Sequence, residues 1–260
     1  MADVTTEVDR NVGVMRIDRP DSLNAFTDEV LEDLADAVDR FEETDDVRAI
    51  LFTATGERGF CAGVDLEDLS TGDPNALHDT VSRAQGVLKR IRRAELPVVA
   101  GVMGAAVGAG MDLALSCDIR VLRADATLSQ SYTNVGLVPG DGGAYLLPRL
   151  IGEEEAKDLI FSGRRLSGAE AHDMGLGTRL VEGDADDTRE AAMDLAAEYA
   201  ERPTVALGKA KRLVNESHDV NMETALEHAI ESICEVSETA DHAEGVAAFR
   251  EGREPEFRGE

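Results

Sequence analysis

The sequence contains no tryptophan, and its three tyrosines and seven phenylalanines make up only 4% of its 260 residues. It also has little positive charge: 26 lysines and arginines stand against 53 aspartates and glutamates, giving a formal net charge of −27. Nucleic-acid binding needs basic patches that contact phosphates, so this deficit argues against a nucleic acid as a partner. With 43% apolar residues, the chain can still bury an ordinary globular core.

Cysteines are also few and widely spaced. Cys61, Cys117 and Cys234 contain no CxxC pair, which indicates reduced thiols rather than a disulfide framework or a zinc site. No metal ligand set is predicted. No apolar run reaches membrane-spanning length, and the polar N-terminus, MADVTTEVDR, has no apolar signal region. The sequence therefore predicts a cytoplasmic protein with no membrane partner.

The acidic residues are spread along the whole chain instead of forming a disordered tail. Such a surface keeps a protein hydrated, but repulsion among its carboxylates destabilises the folded state unless counterions screen it. We therefore expect a cytoplasmic protein of a halophilic, salt-accumulating organism. The alternative is a surface that is acidic for another reason, such as binding a basic partner.

Residue patterning predicts an α/β protein in which strands and helices alternate before a helical C-terminal region. The expected early elements are a hairpin at 4–9 and 12–17, a helix at 27–43 with a Thr27 cap, a strand at 47–54, a helix at 75–94, and strands at 97–102 and 118–123. The expected later helices lie at 153–161, 168–174, 186–200, 203–217 and 221–248, the last with a break. Apolar positions such as Leu226, Ile230 and Ile233 suit packing either on another subunit or on the chain's own core.

Three loops rich in small residues carry the candidate chemistry. In 59-GFCAGVDL-66 and 104-GAAVGAGMDL-113, glycines and alanines leave backbone N–H groups open to a ligand. The second loop precedes a helix, where unpaired N–H groups and the helix dipole favour an anion or a developing oxyanion. Asp112 lies in the first turn of that helix, where a carboxylate commonly serves only the dipole. In 136-GLVPGDGG-143, Asp141 lies in a tight turn.

In this order and at these separations, the three loops resemble those of the enoyl-CoA hydratase/isomerase superfamily, the crotonase fold. The matching segments are 19-RPDSLNAF-26, 59-GFCAGVDL-66, 104-GAAVGAGMDLALSCDIR-120, 136-GLVPGDGGAYLLPRLIG-152, 162-SGRRLSGAEAHDMGL-176 and 245-GVAAFREGREPEF-257. The resemblance implies a crotonase-type spiral of ββα units over 1–195 that holds a CoA-thioester site, and a C-terminal helical trimerisation region over 196–260. It also implies an acyl-CoA thioester substrate, a homotrimer or a dimer of trimers, and no cofactor, since coenzyme A is part of the substrate.

The resemblance further implies an oxyanion hole made by the backbone N–H groups of Val64 and Ala109, which would stabilise enolate charge on the thioester oxygen. The residues that would bind the coenzyme or the substrate are Ala25, Ala62, Gly63, Asp65, Leu66, Gly108, Gly110 and Phe249. For Phe249, which lies in the C-terminal helix, ordinary helix packing is the alternative.

Asp112 occupies the position of one of the two catalytic glutamates of family hydratases, and we expect it to act as acid and base beside C2 and C3 of the acyl chain. Tyr132 stands where the second glutamate aligns. A phenol with a pKa of about 10 can donate a hydrogen bond but is a poor base at neutral pH. Asp141 lies one position beyond a catalytic aspartate of some family isomerases. Either Asp141 or Tyr132 is therefore expected to assist Asp112, unless Asp141 only caps the following helix.

These residues predict an enoyl-CoA hydratase-like enzyme that adds water across the C2=C3 double bond of an acyl-CoA thioester. The first alternative is an enoyl- or dienoyl-CoA isomerase, which moves a double bond without water and needs only one mobile base. The second is a non-catalytic CoA-thioester binding protein, which only the replacement by Tyr132 favours.

Overall fold

The computed structural model of the chain describes residues 3–65 and 73–260. The strands in these ranges are β1 (Val4–Asp9), β2 (Val12–Ile17), β3 (Ala49–Ala54), β4 (Gly59–Cys61), β5 (Val98–Val102), β6 (Ala105–Val107), β7 (Ile119–Arg123), β8 (Thr127–Ser129), β9 (Arg165–Ser167) and β10 (Arg179–Val181). The helices are α1 (Asp28–Glu42), α2 (Pro74–Arg93), α3 (Ala109–Ser116), α4 (Gly143–Ile151), α5 (Glu153–Ser162), α6 (Gly168–Asp173), α7 (Ala185–Ala200), α8 (Thr204–Glu216), α9 (Met222–Ser237) and α10 (Ala240–Glu251). Short 3-10 turns lie at Pro20–Ser22 and Ser131–Val135.

The larger sheet has the strand order β1-β2-β3-β5-β7-β10. Its first two strands form an antiparallel hairpin, and the remaining neighbours pair in parallel. Side chains alternate between its two faces: Ile50 and Phe52 pack in the cluster that includes α1 and α2, whereas Ala49 and Leu51 pack in the cluster that includes α7. Because both faces are covered, β3 is buried along its whole length.

The smaller sheet has the order β4-β6-β8-β9, and its first three strands are parallel. The carboxyl ends of neighbouring parallel strands lie at the same edge of a sheet. The segments that follow β4 and β6 therefore start side by side, and these are two of the loops that the sequence analysis singled out. The sequence does not predict this sheet, because each of its strands has only three residues within a segment of loop-like composition.

Other expectations are confirmed. Thr27 caps α1, with its hydroxyl oxygen accepting a hydrogen bond from the Val30 N–H at 3.3 Å. The helical stretch 221–248 breaks between α9 and α10, where Thr239 caps the second helix. The boundary placed after residue 195 stays a prediction, and that position lies within α7, which packs on β3, β5 and β7.

Helix α9 leaves an apolar stripe uncovered in the single chain. Met222, Leu226, Ile230 and Ile233 follow one another at helical spacing, and each is more than half exposed. Of the two readings of these residues, packing on the chain's own core is therefore wrong. An apolar face of this kind marks a contact surface. No helix in the described ranges is both long and apolar enough to cross a membrane.

Candidate active site

Two glycine-containing loops meet at the carboxyl ends of β4 and β6. Cys61 lies opposite Ala106 in the parallel pairing, so the chains leave the sheet next to each other. A β-carbon on Gly110 would overlap the carbonyl oxygen of Cys61, so only glycine permits this approach. A β-carbon on Gly63 would lie 3.6 Å from the backbone nitrogen of Ala109. The predicted oxyanion-hole segments are therefore in contact.

At this junction the backbone directions leave two N–H groups without a backbone acceptor among the described residues. Phe26 forms an isolated parallel bridge with Val64, in which its N–H donates to Gly63 and its carbonyl accepts from Asp65, both at 2.9 Å. In this pattern the N–H of Val64 itself points away from Phe26. Ala109 is the first residue of α3, where N–H groups have no partner within the helix. Across residues 3–65 and 73–260, no backbone carbonyl accepts a hydrogen bond from either N–H.

Gly108 makes the sharp turn into α3. Its φ of 53° and ψ of −121° are available to glycine and strained for other residues, so the direction of the Ala109 N–H depends on this residue. The ring of Tyr132 lies beside the turn, since a β-carbon on Gly108 would be 3.8 Å from its Cζ. The turn therefore connects the N–H pair with the acid–base residues.

The segment predicted to hold the coenzyme lies beside these loops. The N–H of Ala62 donates to Leu23 at 3.2 Å, and the Arg19 guanidinium donates both to the Ala25 carbonyl and, at 3.1 Å, to Asp65. Arg19 thus ties together two of the predicted binding positions. Sequence reasoning did not single it out, and its only signal was its place at the start of 19-RPDSLNAF-26. Leu66 lies outside the described residues.

Phe249 has a different environment from the other predicted site residues. It projects from α10, is 88% exposed, and lines a hollow with α8 and the C-terminal tail rather than with the two loops. Such exposure rules out ordinary helix packing within the chain. Its contact with the coenzyme stays a prediction.

Asp112 is fully buried in the first turn of α3 and is surrounded by hydrogen-bond donors. Gln130 Nε2 donates to Oδ1 at 2.6 Å, the Tyr132 hydroxyl lies 2.8 Å from Oδ2, and the Gly143 N–H also donates to the carboxylate. Burial raises the pKa of Asp112 from 3.8 to about 6; the hydrogen bonds oppose this rise, and the charge of Asp141 adds to it. A carboxyl group with a pKa this close to neutrality is suited to proton transfer.

Tyr132 connects Asp112 to Asp141. Its hydroxyl oxygen lies 2.9 Å from Asp141 Oδ2, so the three predicted catalytic residues form one cluster. Burial also raises the pKa of Asp141, against the effect of its hydrogen bond with Tyr132. Burial, together with the two neighbouring carboxylates, raises the pKa of Tyr132 far above its usual value. Tyr132 therefore remains a phenol at any physiological pH.

The capping role considered for Asp141 is not observed. Helix α4 begins after Gly142 and has no side-chain hydrogen bond at its N-terminal cap. Asp141 is instead only 5% exposed, and its Oδ1 has no hydrogen-bond partner within the described part of the chain. A buried carboxylate oxygen without a partner is costly, which marks this position as one needing a ligand or a proton.

Sequence reasoning missed two residues that hold Asp112 in place. Gln130 is buried and its amide group donates to Asp112, while Gly143 faces the same carboxylate. A β-carbon on Gly143 would overlap Asp112 and lie 2.8 Å from Gln130 Oε1. Their only signals are proximity to Tyr132 and to Asp141 in the sequence, because neither residue type is itself an acid or a base.

A cavity of about 490 Å³ opens beyond the other end of α3, and Leu115, Cys117, Arg149 and Lys211 are among its lining residues. None of the predicted site residues that the structure describes lines it. No group of three or more histidine, cysteine, aspartate or glutamate side chains in residues 3–65 and 73–260 is placed to hold a metal ion.

Comparison with known proteins assigns the family. The model of the enoyl-CoA hydratase/isomerase family matches residues 7–260. Mitochondrial methylglutaconyl-CoA hydratase of Mus musculus is 36% identical over 258 residues, covering 98% of this chain and 82% of that protein. The 1,2-epoxyphenylacetyl-CoA isomerase of Escherichia coli (strain K12) is 35% identical over 260 residues, covering 98% of both proteins.

Solved structures agree with the sequence comparison. The crystal structure of an enoyl-CoA hydratase from Bacillus anthracis superposes with a TM-score of 0.94 at 30% identity, covering 100% of both chains. The expected spiral α/β fold with C-terminal helices is thereby confirmed. The chain is an enzyme of the enoyl-CoA hydratase/isomerase family, within the crotonase superfamily.

Proposed function

We propose that this enzyme is a hydratase that adds water across the C2=C3 double bond of an acyl-CoA thioester. The observation that supports this most strongly is the pair of buried carboxyl groups, Asp112 and Asp141, on either side of Tyr132. Hydration needs one group to accept a proton from water and another to donate a proton to C2. Asp141 supplies the second carboxyl group, because residue 132 is a tyrosine and has none.

In this proposal the N–H groups of Val64 and Ala109 bind the thioester oxygen and stabilise the enolate that forms when water attacks C3. Each such fixed donor contributes roughly 3 kcal/mol in comparable oxyanion holes. Asp112 takes the proton from the attacking water, because its ionised form is stabilised by several donors. Asp141 provides the proton for C2. All four groups come from segments that leave one edge of the smaller sheet or lie against α3.

The substrate is proposed to be a CoA thioester, which is the substrate class of the family. The backbone around Ala25, Ala62 and Asp65 would hold the nucleotide and the pantetheine, together with Leu66. Gly63, Gly108 and Gly110 would allow the thioester to approach the backbone closely. Because Phe249 is exposed on α10, we propose that it reaches the coenzyme bound to a partner subunit.

An oligomer is part of the same proposal. The resemblance to the crotonase fold implies one, and each of the four side chains of the apolar stripe on α9 is more than half exposed in the single chain. Burying four large apolar side chains would contribute several kcal/mol, since each contributes roughly 1.5–3 kcal/mol when fully buried. We propose a homotrimer or a dimer of trimers.

The isomerase reading remains the second candidate. One observation favours it: Asp112 alone, with its pKa raised to about 6, can remove and return a proton. The Escherichia coli isomerase is also as similar to this chain as the Mus musculus hydratase is. In that case the same N–H pair would stabilise a dienolate, and no water would enter the product.

Product analysis with variants tests the proposal. The purified protein is incubated with crotonyl-CoA in molar KCl, while the absorbance of the conjugated thioester is followed and the product is identified. We expect 3-hydroxybutyryl-CoA, with at least tenfold lower kcat for both Asp112→Asn and Asp141→Asn. Asp219→Asn is the matched control, since this surface carboxylate also accepts a hydrogen bond from a tyrosine, Tyr145. Conversion of a 3-enoyl-CoA substrate without formation of a hydrated product would establish the isomerase. Tight binding of the CoA thioester without any turnover would establish a non-catalytic binding protein.

A further inference from the structure

The contacts of Tyr132 impose a proton count on the site. Its hydroxyl oxygen lies 2.8 Å from Asp112 Oδ2 and 2.9 Å from Asp141 Oδ2, and both are hydrogen-bond distances. A phenol has one hydrogen, so it can donate to only one of the two carboxyl groups. The other contact is a hydrogen bond only if that carboxyl group donates to the phenol oxygen. To do so, the carboxyl group must be protonated. With both carboxylates ionised, one contact would be repulsive.

The two carboxyl groups differ in how well they can hold a negative charge. Asp112 accepts hydrogen bonds from Gln130 and from the Gly143 N–H in addition to Tyr132. Asp141 has Tyr132 on one oxygen, and its other oxygen is buried without a hydrogen-bond partner in the described residues. Donors stabilise the ionised form, and an unpartnered buried oxygen costs less on a neutral group. The resting proton therefore belongs on Asp141 and the charge on Asp112.

We propose that Asp112 and Asp141 share one carboxylic proton through Tyr132, and that the phenol passes it between them during turnover. Tyr132 is then a positioning residue that acts through the two carboxyl groups. This inference rests on the proposed acid–base roles of both aspartates. The shared resting proton does not depend on which reaction follows, whereas the relay operates only where Asp112 takes up a proton and Asp141 gives one up. It also explains how a tyrosine can stand between two acids without being a base itself.

The relay balances as two proton transfers. In turnover Asp112 gains a proton from water or from a substrate carbon, and Asp141 loses one to C2. To restore the resting state, Asp112 O–H gives its proton to the phenol oxygen while the phenol O–H gives its own proton to Asp141. One O–H bond breaks and one forms on Tyr132, and there is no change in oxidation state. No exchange with solvent is required.

The described elements around this pair mainly place neutral side chains against it. Helix α3 contributes Asp112, the 3-10 turn contributes Tyr132, and the loop before α4 contributes Asp141. From α2, the side chains nearest to this loop are the neutral Val81, Leu88 and Gln85. Among the described residues, the charges with the largest effects on the pKa values of Asp112 and Tyr132 are those of the two aspartates themselves. The cluster should therefore titrate as one coupled unit.

Infrared spectroscopy without substrate tests the shared proton directly. The carbonyl-stretch band of a protonated carboxyl group is followed against pH in wild type, Asp112→Asn and Asp141→Asn. We expect the wild-type band to persist to a pH at least one unit higher than in either variant, because only the pair can share the proton. If the wild-type band is lost at the same pH as in one of the variants, one aspartate holds its proton alone and the inference is wrong. Since no reaction is needed, this result is independent of whether hydration occurs.

Kinetics of Tyr132→Phe test the relay. This variant keeps the ring and removes the hydroxyl group, and Tyr145→Phe is the matched control because its hydroxyl also bonds a carboxylate, Asp219, outside the site. The Tyr132 hydroxyl group stabilises the state in which Asp112 and Asp141 together carry one proton, and so widens the pH range in which that state exists. We expect Tyr132→Phe to lower kcat at least tenfold, to change KM less than threefold, and to move both limbs of the pH profile of kcat inward. A uniform loss of kcat with both limbs unmoved would show a merely structural role and overturn the relay.

Discussion

Gly143 offers a sharp test of how the acid–base cluster is held. The substitution Gly143→Ala adds a single methyl group at the start of α4, where alanine is otherwise a good helix former. That methyl group would overlap Asp112 and lie 2.8 Å from Gln130 Oε1 and 2.9 Å from Gln130 Nε2. Non-bonded heavy atoms prefer separations of roughly 3.5–4.0 Å. Both side chains must therefore move by about 1 Å.

The magnitude of the effect follows from this displacement. Overpacking of a buried site costs roughly 1–3 kcal/mol of stability. A misplacement of about 1 Å at a reacting group lowers the rate by as much as ~10²-fold. The displaced carboxylate also loses donors, which raises the pKa of Asp112 further above about 6. We therefore expect kcat to fall between about tenfold and a hundredfold, with the acid limb of the pH profile moved to higher pH.

The assay compares kcat, its pH profile and the urea midpoint of Gly143→Ala with those of Gly86→Ala. Gly86 lies inside α2, where the one described side chain that a β-carbon would meet within 4 Å is Arg90, at 3.6 Å from its Nη1. The control should be as stable as wild type or more stable, and its pH profile should be unchanged. If Gly143→Ala were as active as wild type with the same acid limb, the described positions of Asp112 and Gln130 would be incorrect.

Four further predictions concern substrate binding, oligomerisation and the dependence of stability on salt and on pH. Arg19→Ala should raise KM for a CoA thioester by about tenfold, equivalent to roughly 1.4 kcal/mol, with kcat nearly unchanged; Arg10→Ala, which removes a surface ion pair, should change neither. Leu226→Asp on α9 should shift sedimentation from oligomer to single chains, whereas Val8→Asp on β1, also exposed, should not. The free energy of unfolding should rise from low salt to molar KCl because counterions screen a net charge of −27; an unchanged urea midpoint would contradict the halophile hypothesis. Because burial raises the pKa of Asp112 from 3.8 to about 6, wild type should lose roughly 3 kcal/mol of stability as pH rises through that interval. Urea titrations of Asp112→Asn should show a smaller loss, since only Asp141, whose pKa burial also raises, remains to titrate.

Regular elements with strong patterns could be predicted from the sequence. The two strand-like segments of the β1–β2 hairpin and the apolar face of α1 behind Thr27 are local signals, and both elements lie where the sequence indicates. The smaller sheet carries no comparable signal, because a strand of three residues spans barely one alternation. Its pairing of β4 with β6 depends on contacts far apart in the chain. Local patterning cannot reveal those contacts.

The residues of the candidate site likewise include some that the sequence could identify and some that it could not. The small residues of two loops and the carboxyl groups of Asp112 and Asp141 could be named from the sequence, because their residue types carry the chemistry. The contact that joins them through Tyr132 could not be predicted, since a phenol is a poor base at neutral pH and only its position between two carboxyl groups suggests a role. Gln130 and Gly143 could not be identified because neither residue type is an acid or a base. Gln130 donates a hydrogen bond to Asp112, and Gly143 leaves room for the Asp112 carboxylate because it has no side chain.

The central claim is that this site adds water to an enoyl thioester. Turnover of crotonyl-CoA in oxygen-18-labelled water, followed by mass spectrometry of the product, tests it most directly. We predict a 3-hydroxyacyl-CoA that carries one labelled oxygen at C3, with incorporation at least tenfold slower in Asp112→Asn. A product that forms without label, or labelling that is as fast in Asp112→Asn as in wild type, would contradict the account.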